Sequence, residues 1–219
     1  MATIQQTRDR YLVKSEKNGT NDSIAVDNLR FCLLYNEAQN KYTTLQLQNR
    51  GVDDIRYIQN LLVLDEKIAA PIKEQDKYSF KLPKNYFDLS DVRARAEKDK
   101  CSRLISCSEI QTENLNTILQ DEFNKPSFEW DEVPYTINSD KLSVYVDNFS
   151  ISEILLNYYR YPNQIGLINE QNPESKFTNT SIIEWDDKVL DDIISLMVMN
   201  LDINQNNPRF QLQTLRIKK

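Results

Sequence analysis

The chain has no histidine, and only three glycines and three cysteines among 219 residues; each shortage removes a class of chemistry. Without histidine there is no imidazole base for Ser-His-Asp or Cys-His catalysis, and zinc loses its commonest nitrogen ligand. Gly19, Gly51 and Gly166 are too few and too scattered for a GxGxxG turn or a P-loop, so nucleotide binding by those routes is excluded. Cys32, Cys101 and Cys107 form an odd set with no CxxC pair, and free buried thiols are expected. Basic charge is also short: a formal charge of −6 argues against a protein that grips nucleic acid, which needs Lys and Arg to displace counterions from phosphates. No apolar run approaches the roughly 18 residues required to span a bilayer. The longest, at 61–64 and 193–199, suit a core. The first six residues carry neither a basic leader nor an apolar stretch, so export is not expected, and the sequons at Asn18, Asn148 and Asn179 read as chance products of an Asn-rich chain.

What is present is the composition of a folding domain. Hydrophobic residues make up 40% and charged residues 27%, which indicates neither disorder nor a fibrous repeat. The first third has helical periodicity. Ile4, Tyr11 and Leu12 mark a short helix that breaks at 17–22. Over residues 23–50, Phe31, Leu34, Tyr35, Ala38, Tyr42 and Leu45 recur every three or four positions and predict a longer amphipathic helix, stopped by Gly51. Asp53 and Asp54 can cap a brief helical piece through Ile55, Tyr57 and Ile58.

The middle of the chain changes period. Tyr78, Phe80 and Leu82 alternate with polar neighbours, as do Val92, Ala94 and Ala96, which is the pattern of half-buried strands. A helical interlude is expected over 110–119, then extended chain around Pro126, Trp130 and Pro134. Leu142, Val144 and Val146 predict a strand that turns at Asn148 and pairs as a hairpin with the run 154–161. Ser181 and Glu184 have capping-box spacing ahead of the stripe Ile182, Trp185, Val189, Ile193, Met197 and Leu201. The expected fold class is therefore α+β, with helices at both ends bracketing a central antiparallel β-sheet or small β-sandwich. The expected organisation is one unit, with a helical part at 1–60, a mainly β part at 61–178, a helix at 179–205 and a tail at 206–219.

Two patterns are candidates for chemistry. Asp121, Glu122, Glu129, Asp131 and Glu132 form an acidic cluster, and Asp186-Asp187-Lys188 fits the loose acid-x-Lys pattern of some magnesium nucleases. The helix dipole accounts for the second group and a solvated surface for the first, so no catalytic, cofactor-binding or metal-binding residue is assigned. The aromatic run Tyr158, Tyr159, Arg160 and Tyr161 could stack nucleic-acid bases, yet strand alternation explains it as core or interface, with Tyr158 and Arg160 sharing a face with Ile154 and Leu156. These four residues, with Phe210, Leu212 and Leu215 of the tail, are the candidate subunit or partner interface.

The segments 20–23, 31–41 and 53–59 resemble the N-terminal half of neck ring proteins of crAss-like podoviruses infecting Bacteroides, and Phe80-Lys81-Leu82-Pro83-Lys84-Asn85-Tyr86, Pro126-Ser127-Phe128-Glu129-Trp130-Asp131-Glu132-Val133-Pro134, Leu142-Ser143-Val144-Tyr145 and Tyr158-Tyr159-Arg160-Tyr161-Pro162 resemble the pattern recurring in phage head-to-tail adaptors. The resemblance runs from about residue 4 to residue 200, and the order of the motifs carries it. It implies a non-enzymatic virion protein, made in the host cytoplasm, whose copies form a dodecameric ring in the head-to-tail neck. The implied partners are the portal protein and adjacent neck ring or tail proteins. Double-stranded DNA would pass through the channel without specific binding, and no cofactor or membrane is involved. A tail-tube or tail-hub subunit and, as an enzyme, a metal-dependent nuclease are the alternatives.

Overall fold

The computed structural model describes residues 2–16, 26–49, 55–68, 72–74, 76–178 and 182–202. The chain divides into a helical unit, Met1–Asn60 with Pro162–Lys219, and a β unit, Leu61–Tyr161. The sequence pattern predicted one unit with β structure to residue 178. The β unit ends at Tyr161, and the segment after it belongs with the helices.

In the helical unit, α1 (Ile4–Glu16) opens with a reciprocal capping box that the sequence reading passed over. The Gln6 amide donates to Thr3 Oγ1 at 3.2 Å, and the Thr3 amide donates to Gln6 Oε1 at 3.0 Å. Helix α2 (Asn28–Asn49) begins where the Asp27 carboxylate accepts the Arg30 amide at 2.6 Å. Phe31, Tyr35, Ala38 and Tyr42 are buried as their spacing predicted, but Leu34 and Leu45 are only half-buried, and Cys32, Gln39, Thr43 and Leu47 complete the inward face. Gln39 is a buried amide with partners on both atoms. Its Nε2 donates to Asn36 Oδ1 and to the Asn163 carbonyl, and its Oε1 accepts Trp185 Nε1–H at 3.2 Å. Asn36 exchanges two further bonds with the Ile165 backbone. These contacts hold the chain after Tyr161 against α2, because a buried amide left unpaired would cost about 1–3 kcal/mol.

The last helix, here α3 in the helical unit (Asp187–Asp202), packs against α1 and α2. Val189, Ile193 and Met197 are fully buried, and so are Leu190 and Ile194. The cap expected at Ser181 does not start this helix: Ser181 lies outside the described residues, and Asp186 caps the helix, its Oδ1 accepting the Val189 amide at 2.8 Å. Glu184 instead accepts the backbone and side-chain nitrogens of Asn163. Gly51, Asp53 and Asp54 also lie outside the described residues. No helix among the described residues is long and apolar enough to cross a membrane.

The β unit is built from β1 (Leu62–Ile68), β2 (Ile72–Glu74), β3 (Lys77–Lys81), β4 (Tyr86–Lys98), β5 (Cys101–Glu109), β6 (Val133–Asn138), β7 (Lys141–Tyr145) and β8 (Ser150–Arg160). A short helix, Leu115–Gln120, fills the predicted interlude. The strands form one sheet in the order β1-β8-β4-β5-β6-β7-β3-β2. The expectation of a fold combining helices with a central sheet holds, although the sheet is mixed: β5 and β6 run parallel, and every other neighbouring pair is antiparallel. Tyr78 and Phe80 of β3, Val92, Ala94 and Ala96 of β4, Leu142 and Val144 of β7, and Ile154, Leu156 and Tyr158 of β8 join in one apolar cluster. Residues from both halves of the sheet share it, so the sheet curls around its own core.

The predicted hairpin between the strand at 142–146 and the run 154–161 is contradicted. β7 lies between β6 and β3, while β8 lies between β1 and β4 in the other half of the sheet. Alternation tells which face of a strand is buried but not which neighbour it pairs with. The pairing of β7 with β3 extends to Val146, whose amide donates to the Asp76 carbonyl at 3.0 Å, leaving no edge for β8. Scarcity of glycine also shows in the turns. Asp99 and Lys100 both take positive φ, 47° and 71°, in the tight β4–β5 hairpin where Asn-Gly or Asp-Gly is favoured.

Candidate interaction surface

The chemistry-bearing residues marked in the sequence turn out to have structural tasks. In the helical unit, Asp186 caps its helix, Asp187 pairs with Arg10 at 2.9 Å, and Lys188 donates to the Tyr57 hydroxyl with its ammonium 4.5 Å from the Tyr57 ring centre. Asp186 and Asp187 border an open cleft of 330 Å³ beside Trp185. Trp185 itself is buried, edge-on to Tyr42 with 5.9 Å between ring centres. Among the described residues, no three acidic or cysteine side chains are grouped closely enough to hold a metal ion.

The second acidic group forms the frame of a loop. Residues 121–132 leave the short helix Leu115–Gln120 and lead into β6. Asp121 accepts the Phe123 amide at 3.0 Å and Asn124 Nδ2 at 2.6 Å, which tightens the first turn. Those two bonds hold its carboxyl below the usual carboxylate range. Ser127 and Glu132 exchange backbone hydrogen bonds at 2.7 and 3.1 Å, and Asp131 takes a φ of 58° to reverse the chain between them. Phe128 points inward, 9% exposed, against Phe149 with 6.2 Å between ring centres. The Arg103 guanidinium lies 4.2 Å over the Phe128 ring. Three ion pairs tie the loop to strands and turns around it: Lys98 with Glu129, Arg103 with Asp131 at 3.2 Å, and Lys125 with Asp147 at 3.5 Å. The Lys98 contact is the main reason that the Glu129 carboxyl is also lowered.

This frame presents two aromatic rings to solvent. Phe123 is 89% exposed and Trp130 is 80% exposed. Other large apolar side chains at the surface, such as Leu33, Leu64 and Ile168, are scattered singly over different elements, as on most proteins. A Trp and a Phe held outward on one braced loop are different in kind, because binding energy at protein interfaces concentrates in a few anchors among which Trp is enriched, and braced side chains lose little entropy on binding. From the sequence these acids read as solvated surface, and the exposed rings among them are given no role. The available signal was that neither Phe123 nor Trp130 belongs to any strand or helix periodicity.

The candidate interface residues fare differently. Tyr158 is buried, its hydroxyl donating to Glu66 and lying 3.1 Å from the Asn85 side-chain amide, and burial pushes its pKa up to about 12. It shares the core cluster with Ile154 and Leu156, as alternation predicted. Tyr159 is buried too, on the opposite face of β8. Of the run, Arg160 and Tyr161 retain surface, and Tyr161 packs edge-on against Phe87 with 4.5 Å between ring centres. The run is therefore chiefly interior. Phe210, Leu212 and Leu215 lie outside the described residues. Among the cysteines, Cys32 and Cys107 are buried as expected, with burial raising their thiols to about 11 and about 12, but Cys101 is exposed at the β4–β5 turn, which corrects the expectation for that residue.

By fold this is an α+β protein with a curled mixed sheet and a braced aromatic loop. Compared with known proteins, the chain matches no family model and no curated protein.

Proposed function

We propose that the chain is a non-enzymatic structural subunit of a virus particle, forming a ring in the neck that links the portal to the tail and lines the channel through which DNA leaves. The ordered resemblance to neck ring proteins supplies the class. The structural observation that supports an assembly role is the pair Phe123 and Trp130, exposed on a loop that three ion pairs and the buried Phe128 hold in place. A ring needs a heterologous junction, in which one patch on each copy meets a different patch on the next until rotation closes. Each junction should bury on the order of 1,000 Å² or more, and outward aromatics are the usual centre of such a contact. The formal charge of −6 suits a channel that lets DNA slide, since a basic wall would hold phosphates.

The test is to mix the purified chain with purified portal of the same virus and examine the product by electron microscopy. The expected product is a symmetric annulus of this chain seated on the portal, even where the chain alone stays monomeric. A chain that neither binds the portal nor closes into an annulus would refute the proposal.

A further inference from the structure

The two ends of the β6–β7 hairpin differ in charge. At one end sits the aromatic loop, which enters β6 at Val133 and is tied to Asp147 just past β7. Its lysine and arginine contacts are already taken: Lys98, Arg103 and Lys125 each serve an acid. Glu122 and Glu132, which flank the exposed rings, are exposed and make no ion pair among the described residues.

At the other end, Lys81 of β3 and Lys141 of β7 stand directly opposite each other in register. Like charges in that position repel. Both are exposed, and Lys84 follows in the next turn. None of the three has an ion pair among the described residues. Of the acids nearby, Glu74 is ion-paired with Lys77 at 2.8 Å and reaches Lys141 only through the longer-range field, and Asp140 in the adjoining turn makes no ion pair among the described residues. A like-charged pair kept at an exposed strand end, with no direct ion pair among the described residues, is a complement for the acids left over at the opposite end.

We infer that, in the ring, Phe123 and Trp130 of one copy dock on the lysine end of the next copy's β6–β7 hairpin, with Glu122 and Glu132 against Lys81 and Lys141. The inference rests on the ring reading and specifies its junction. Six residues of β6 separate the two patches, roughly 20 Å at the rise of a strand, so the loop cannot reach its own lysines and must meet those of another molecule. A contact between opposite ends of one hairpin is head-to-tail, the geometry that ring closure needs. The chemistry fits as well. Lysine stems offer apolar length to the rings, and an ammonium over an indole face gains from the ring quadrupole. A Phe and a Trp bury about 150–250 Å² each, close to half of the roughly 800 Å² that each partner contributes to a standard interface.

Two variants test this together: Phe123→Ser with Trp130→Ser, which removes the loop contact, and Lys81→Glu with Lys141→Glu, which reverses the lysine end. All four positions are exposed, so both variants should melt like the unaltered chain, and a melt confirms that they are folded. Assembly on the purified portal is followed by microscopy, and association in solution by sedimentation velocity and native mass spectrometry. The expected result is that neither variant closes a ring alone, while their mixture gives a one-to-one dimer that grows no further, because each supplies the one sound end that the other lacks. Pairing Glu122→Lys with Glu132→Lys in the same chain as Lys81→Glu and Lys141→Glu should restore the ring. Rings formed by both variants as readily as by the unaltered chain would overturn the junction and leave the ring reading standing. Failure of the unaltered chain to form any ring on the portal would overturn both.

Discussion

Replacing Phe128 by alanine should separate the loop from the sheet that braces it. Phe128 is 9% exposed, packs against Phe149 and lies under the Arg103 guanidinium. Truncating a fully buried Phe costs about 3–5 kcal/mol; a ring at the margin of the core belongs at the low end, about 3 kcal/mol. About 0.5 kcal/mol of that is the Arg103 contact, which is partly exposed to water. The β unit spans Leu61–Tyr161, and in a domain of that size 1 kcal/mol corresponds to about 4–8 °C. Its melting temperature should therefore fall by at least about 12 °C. Phe128→Leu keeps most of the volume and should cost about 1 kcal/mol. Denaturant unfolding measures the loss, and limited chymotryptic digestion measures the loop. In the parent chain the bonds after Phe123 and Trp130 should resist cleavage although their side chains are exposed, because a protease must open the loop to bind it. In the alanine variant cleavage there should accelerate well before global unfolding. A loss below about 1 kcal/mol with an unchanged cleavage rate would show that Phe128 does not hold the loop.

Three further outcomes follow from the same geometry. Lys100→Gly places glycine at a φ of 71° in the β4–β5 turn and should stabilise the β unit by about 0.5–1 kcal/mol in denaturant unfolding; a loss of stability would refute the assigned turn. An alkylating reagent at pH 8 should modify one thiol of the folded chain, Cys101, and all three after unfolding, as counted by mass spectrometry; rapid labelling of Cys32 or Cys107 would contradict their burial. The Asp121 and Glu129 carboxyls are held low in the folded chain, so the unfolded chain binds their protons more readily. Their contribution is complete above the unfolded carboxylate range and disappears as pH falls through the lowered folded values. Fluorescence anisotropy of Trp130, the exposed one of the two tryptophans, should thus stay constant from pH 8 to pH 5 and drop below about pH 4, and a drop near neutrality would show that other groups brace the loop.

Local pattern was legible in the sequence wherever one period decided the outcome. The alternation of Val92, Ala94 and Ala96 placed them in the core of β4, and the spacing of Phe31, Tyr35, Ala38 and Tyr42 placed them on the inner face of α2. Pairing was not legible, because both β7 and β8 bury one face and nothing in either says that the chain crosses from one half of the sheet to the other at Phe149. Caps were read in one place and found in another. Ser181 with Glu184 matched a capping pattern, yet Asp186 caps the last helix, and Thr3 with Gln6 makes a reciprocal cap that went unremarked. The candidate site was hidden for a related reason. Acidic residues draw attention as chemistry, but in residues 121–132 they serve as turn caps and ion-pair partners, and only their placement shows that the loop's exposed content is aromatic. Tyr158 and Tyr159 had the reverse problem: an aromatic run attractive as an interface is largely consumed by the interior.

The most direct measurement is a three-dimensional reconstruction, at a resolution that shows side chains, of the virus particle in which the proposed role places this chain. The account predicts a closed ring of copies between portal and tail, with Phe123 and Trp130 of each copy covered by the lysine end of its neighbour. Finding the chain elsewhere in the particle, or in a ring whose Trp130 faces open solvent, would contradict it.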